Sequence, residues 1–428
     1  MTFPASSSTA PRALLNATIP AGLRPSSFTD ESMRYDIALS DGKISDILPA
    51  GNFSSVGEAI DLKGQMVWPC FADIHTHLDK AFIWERTPNP DGTFMGALQA
   101  TTQDREGYWT DADVERRMEF SLNCAYAHGT SAIRTHLDTF GTHGNRVWPL
   151  LRRLQKKWSG KVALQGVSLT MPERYMGEDR DGIVRNVAET EGGVLGAVLM
   201  KHNTTPEALE VLFGLATEYG LELDLHVDEN GETDGTALEL IAQTALKLRF
   251  RQKVLCGHCC SLSVQSETQQ THIISLLGEA GIGIVSLPLC NMYLQDRTAG
   301  RTPRWRGVTL LQELDAAGIP VMLASDNVRD PFYAYGDFDM HEILQGGTRI
   351  GQLDHTHRPW AQSVTSRPGS WMGRTHRLEK GAPADLIIFP ARSMNEWMSR
   401  SQAGRTVLRN GRILEAALPS YETLGGEI

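Results

Sequence analysis

At 428 residues with a formal net charge of −10 and 41% hydrophobic residues, the chain has room for one large domain and a small accessory one, and its acidity argues against a general polyanion binder. Its densest basic group, Arg152, Arg153, Lys156 and Lys157, has the spacing of a solvated helix face, so neither nucleic acid nor an anionic membrane is expected as a partner. There is no apolar run long enough for a membrane span and no secretory pattern at the N-terminus, and six cysteines are too few for a disulfide scaffold; a cytoplasmic, reduced chain is the expectation.

Near the start, Tyr35 to Leu39 and Lys43 to Leu48 alternate in hydropathy around an Asp41-Gly42 turn, which predicts a hairpin. Near the end, Ala384 to Phe389 and Arg405 to Leu408, with a turn at Asn410-Gly411, predict the same architecture. The two ends are expected to form one small β-sandwich-like domain, from residues 1–62 and 376–428, around a central domain at 63–375.

In that central domain short apolar runs alternate with amphipathic stretches, the pattern of a parallel sheet covered by helices. The predicted strands are Met66 to Ile74, Ser131 to His136, Val162 to Leu169, Val194 to Met200, Glu222 to His226, Lys253 to His258, Ile282 to Leu287 and Pro320 to Ser325. Helices are predicted over stretches such as Asp111 to Ala127 and Thr236 to Leu248. Eight β/α steps predict an α/β (β/α)8 TIM barrel; an open doubly wound sheet would read similarly, but no G-x-G-x-x-G follows the first strand.

The polar chemistry falls at the C-terminal ends of these strands, the face on which such barrels assemble their sites. His75 and His77 alternate along one strand and so project to one side; His226, His258 and Asp326 close three later strands. Neutral imidazoles with one carboxylate suit a single divalent ion, Fe²⁺ or Zn²⁺, which lowers the pKa of a bound water. Asp326 is the candidate acceptor of the water proton, and His258 either binds the metal weakly or steadies the attacking hydroxide. Glu229, beyond His226, is the candidate proton carrier to the substrate.

Rival motifs weigh less. Cys256-Gly257-His258-Cys259 has redox spacing, but no helix N-terminus is expected there to lower a thiol pKa. Lys201 stands near the place where a modified lysine would bridge a second metal, but a strand exit onto a solvent loop would read the same. His136 is a candidate supporting or substrate-contacting group, balanced against a packed core histidine.

HTHLDK at 75–80, RTHLD at 134–138, DLHVDE at 224–229, PLCNMYLQDR at 288–297, ASDNVRDPFYAYG at 324–336 and the Gly381–Ile388 stretch together resemble the cytosine deaminase branch of the amidohydrolase superfamily. The resemblance implies one iron or zinc ion held by His75, His77, His226 and Asp326, with Glu229 as proton shuttle and His258 beside the hydrolytic water. It also implies attack on an amino-bearing ring carbon with release of ammonia, from a small amino-heterocycle. These enzymes often assemble into homo-oligomers, although no interface is readable here.

Two departures bear on the substrate: Pro172-Glu173 stands where the resembled enzymes have Pro-Gln, and Asn327 stands where an acid often follows the catalytic aspartate. Both, with Phe94 and Phe332, are counted as substrate-binding candidates, and the neutral Asn327 makes 5-methylcytosine a candidate beside cytosine. An N-alkylamino triazine hydrolase is the runner-up, disfavoured by the presence of Glu229, and a non-catalytic barrel is a distant third.

Overall fold

The computed structural model describes residues 12–25, 28, 33–53, 58–355 and 358–425. Its centre is two parallel sheets. One runs in the order Phe71–Thr76, Thr130–Asp138, Ala163–Leu169 and Gly193–Val194, and the other Val198–Leu199, Leu223–Val227, Val254–His258, Gly283–Ser286 and Val321–Leu323. The two meet on one side through a bridge between Leu195 and Leu223 and on the other through one between Thr76 and Asp326. The ladders therefore form two arcs joined at isolated bridges, where the sequence predicted one uninterrupted eight-strand ring.

Two predicted strands are broken, each for a local reason. The expected fourth strand, Val194 to Met200, is interrupted at Gly196, where an added Cβ would stand 2.5 Å from Val167 Cγ1 and 2.6 Å from the Asp224 carbonyl oxygen. Only glycine fits so close to two neighbouring strands. The expected first strand, Met66 to Ile74, divides at Cys70: Met66–Pro69 pairs antiparallel with Leu386–Phe389 in the small sheet, whereas Phe71–Thr76 enters the parallel one.

The small sheets are Lys43–Pro49, Tyr35–Ser40, Ala13–Ala17 and Ala59–Asp61, and Arg412–Ile413, Thr406–Arg409, Leu386–Phe389 and Met66–Pro69. All pairs are antiparallel except Ala13–Ala17 with Ala59–Asp61. The predicted turns carry the left-handed backbone that such tight hairpins require, with φ of 52° and 74° at Asp41-Gly42 and 49° and 73° at Asn410-Gly411. Chain ends interlock where Ile44 N–H donates to the Ala382 carbonyl and Gly381 N–H to the Ile44 carbonyl.

Helices surround the parallel sheets. Asp111–His128 starts at Thr110, whose hydroxyl accepts from Asp113 N–H, carries Asp111 and Asp113 in its first turn and ends at Gly129 with φ 96°. An aromatic seam joins the two parts: Trp68 stacks on Trp397 at 4.7 Å and 9°, and Phe389 packs edge-on to both. No helix among the described residues is long and apolar enough to cross a membrane.

Candidate metal and catalytic site

The C-terminal strand ends bring His75, His77, His226, His258 and Asp326 into one buried cluster. His75 lies in the last turn of backbone before strand Phe71–Thr76 ends, and Gly257 on strand Val254–His258 makes room for its ring: a Cβ there would stand 2.9 Å from His75 Cε1. Asp326 is brought in by the opposite edge, its N–H donating to the His75 carbonyl (2.8 Å) and its carbonyl accepting from Thr76 Oγ1 (2.8 Å). His258, Asp326 and Asp228 hold φ of 67°, 61° and 44°, a left-handed conformation uncommon outside glycine and concentrated at functional sites.

The donor atoms face one another. One ligand atom each from His75, His226, His258 and Asp326 all fall within 4.8 Å, while His77 Nε2 is 3.1 Å from Asp326 Oδ1 and 3.4 Å from His226 Nε2. Burial, then mutual repulsion among the imidazoles, presses His75 and His226 far below the ordinary histidine value, so both are neutral. Burial works to raise the Asp326 carboxyl, but His258 and His77 outweigh it and the net direction is down. Among the described residues neither His75 nitrogen has a hydrogen-bond partner, and Asp326 Oδ1 meets His77 Nε2. Neutral imidazoles and a buried carboxylate converging in this way fit a divalent cation.

His258 plays a different part from the other imidazoles. Asn291 Nδ2 lies 2.9 Å from His258 Nδ1, and an amide nitrogen only donates, so Nδ1 accepts and the ring proton sits on Nε2. That nitrogen has no protein partner. It offers a donor rather than a lone pair to the cluster, and burial holds the ring neutral, at about 4. Sequence reasoning gave Asn291 no role, although it stands in the quoted PLCNMYLQDR segment, just inside the helix Pro288–Leu294.

Glu229 Oε1 is 3.3 Å from both His258 Nδ1 and Asn291 Nδ2. Burial first and the Asp326 charge second raise its carboxyl well above the ordinary glutamate value. His136 stacks on His75 at 3.8 Å and sits 3.6 Å from Asp224 Oδ1, whose other oxygen accepts from Arg134 Nη1 at 2.9 Å.

Of the substrate-binding candidates, Asn327 is buried, with Nδ2 donating to Asp330 Oδ2 at 2.7 Å, and Phe94 packs edge-on to Phe332 at 5.5 Å. Glu173 is exposed, in the short helix Pro172–Tyr175 beyond strand Ala163–Leu169. Lys201 is exposed and its ammonium pairs with the Asp234 carboxylate, away from the cluster. Cys256 and Cys259 are buried free thiols, both pushed well above the ordinary value by burial, which leaves the redox reading without a reactive thiolate.

The family model for the Amidohydrolase family matches residues 175–414, and the match spans both the Glu229–His258 pair and Asp326. The chain belongs to the amidohydrolase family. This amidohydrolase is 48% identical over 418 residues to the pterin deaminase of Rhizobium rhizogenes strain K84, covering 96% of this chain and 95% of that protein. It is 24% identical over 413 residues to the N-isopropylammelide isopropyl amidohydrolase of Pseudomonas sp. strain ADP, covering 92% and 96% respectively. The crystal structure of 5-methylcytosine deaminase from Klebsiella pneumoniae liganded with phosphonocytosine superposes with a TM-score of 0.82 at 25% identity, covering 95% of this chain and 98% of that one. The amidohydrolase thus combines a hydrolase fold acting on C–N bonds with a buried His/Asp cluster suited to a metal.

Proposed function

We propose that this amidohydrolase removes the exocyclic amino group of a pterin ring, converting a 2-amino-4-oxopteridine into the 2,4-dioxo compound and ammonia. The observation that carries the deaminase reading is the buried Glu229 carboxyl, 3.3 Å from His258 Nδ1 and within reach of Asp326. The choice of ring is supported by the 48% identity to a pterin deaminase along almost the whole chain, against 25% to the 5-methylcytosine deaminase.

His75, His77, His226 and Asp326 would hold a divalent metal, which would supply Lewis-acid chemistry by lowering the pKa of water. Asp326, ionised, accepts the proton of that water. Glu229 gives its proton to the ring nitrogen next to the amino-bearing carbon, making that carbon electrophilic, and then returns as a carboxylate to pass the water-derived proton to the leaving amine. His258 donates from Nε2 to the incoming oxygen and holds it over the carbon, its orientation set by Asn291. The cytosine and 5-methylcytosine reading rests on the same chemistry with a smaller ring; the triazine reading leaves Glu229 without a task.

Ammonia release from enzyme of known metal content tests the proposal on pterin, cytosine, 5-methylcytosine, isocytosine, guanine and N-isopropylammelide. Release from pterin well above the others, abolished by Glu229→Gln, is the expected result. Preferential turnover of cytosine or 5-methylcytosine overturns the choice of ring, and no release from any compound overturns the deaminase.

A further inference from the structure

The reaction just described uses the cluster and Glu229 but not Lys80, the last residue of the HTHLDK segment. Lysine is among the residues least often buried, yet Lys80 is only 4% exposed. Its ammonium lies 2.6 Å from Asp138 Oδ1 and 5.5 Å from the centre of the Phe332 ring. An ammonium has three N–H donors. Asp138 is its only ion-pair partner among the described residues, and the other Asp138 oxygen is already held by Arg105 Nη1 at 2.8 Å.

If Lys80 served only to neutralise Asp138, Arg105 would make it redundant. Lys80 follows His77 by three residues and its ammonium faces the ring of Phe332, whose carbonyl lies 4.0 Å from Cys290 Sγ; one ligand atom each of Cys290, Glu229 and Asp326 fall within 4.8 Å of one another. The ammonium therefore stands beside the aromatic ring that borders Cys290, Glu229 and Asp326. A buried cation there, with donors to spare and an aromatic face beside it, suits an electron-rich oxygen on a flat ring.

Resting on the function proposed above, we infer that Lys80 reads the ring oxo group of the substrate, donating a charge-assisted hydrogen bond to that oxygen while Glu229 engages the ring nitrogen. Asp138 and Arg105 position the lysine. The site then selects heterocycles that carry an oxo group on the ring along with the reacting amine, and it discriminates against aminoheterocycles without one.

The test compares pterin with 2-aminopteridine, which lacks the oxo oxygen, by fluorescence binding titration and by ammonia release. It uses the metal-loaded wild type, Lys80→Met and the double variant Lys80→Met/Asp138→Asn, which removes the buried charge pair together and keeps the fold testable should the single variant fail to fold. The expected result is a loss of roughly 10- to 100-fold in pterin binding and kcat/KM in both variants, with 2-aminopteridine changed by no more than a few fold. Equal losses on the two compounds, or recovery of pterin turnover in the double variant, overturn the inference and mark Lys80 as a structural partner of Asp138. A wild type that neither binds nor deaminates pterin overturns the proposed function and this inference with it, whereas a wild type that prefers pterin with variants blind to the oxo group overturns the inference alone.

Discussion

Around the candidate metal cluster, Asp228, His258, Cys259 and Asp326 hold positive φ without being glycine, and buried ring nitrogens and carboxylate oxygens face one another. At the seam with the small domain, buried area is aromatic carbon: Trp68, Trp397, Phe389 and Phe71 pack ring against ring, and His341 sits edge-on to Trp397 at 4.2 Å. The first region accepts backbone strain and electrostatic tension that only a cation relieves; the second supplies contact energy that asks nothing of a ligand. Function and stability are thus drawn from separate parts of one chain, and substitutions should sort accordingly.

The largest effect on that contrast is expected at Glu229. Glu229→Gln keeps the shape and loses the proton, so kcat should fall by about 10²- to 10⁴-fold while thermal unfolding and metal content stay near wild type. Trp397→Ala should do the reverse: denaturant unfolding should show a loss of ~3–5 kcal/mol, with activity per folded molecule retained. Chelation should touch both regions unequally. It should abolish turnover and also remove about 2–4 kcal/mol of stability, because the facing donors lose the cation that binds only the folded state; unchanged unfolding after metal removal would contradict the reading of the unpartnered nitrogens.

The effect confined to a pH window concerns Asp73, which burial raises to about 7 although Ser325 donates to it. With the folded value above the unfolded one, its contribution to stability is present below about pH 4 and gone once the pH passes about 7. Asp73→Asn should flatten that decline, on the order of 1 kcal/mol per pH unit, in melts recorded across this range.

That the strand-end histidines gather was legible because strand alternation is a local rule: His75 and His77 declare themselves two residues apart, and His226 and His258 each end an apolar run. Glu229 was legible by its place after His226. Asn291, Lys80 and the Arg134–Asp224 pair were not, since their roles depend on partners 33, 58 and 90 positions away and no spacing rule connects them. Strand breaks at Cys70 and Gly196 escaped for a related reason. An apolar run shows that a segment is buried, but which sheet it joins is decided by neighbours such as Leu386–Phe389 and Val167.

The clasp between Thr76 and Asp326 couples assembly of the site to the order of synthesis. The two residues are 250 positions apart, yet one carries the hydroxyl that grips the other's backbone and stands between His75 and His77, the latter 3.1 Å from Asp326 Oδ1. A growing chain that has already made His75, His77, His226 and His258 still has only part of a chelator until the final parallel strand docks beside the first. Contacts of such long sequence separation form late. Asp326 is therefore the last member of the cluster to be made, and a chain halted before it would bring its histidines together without their carboxylate.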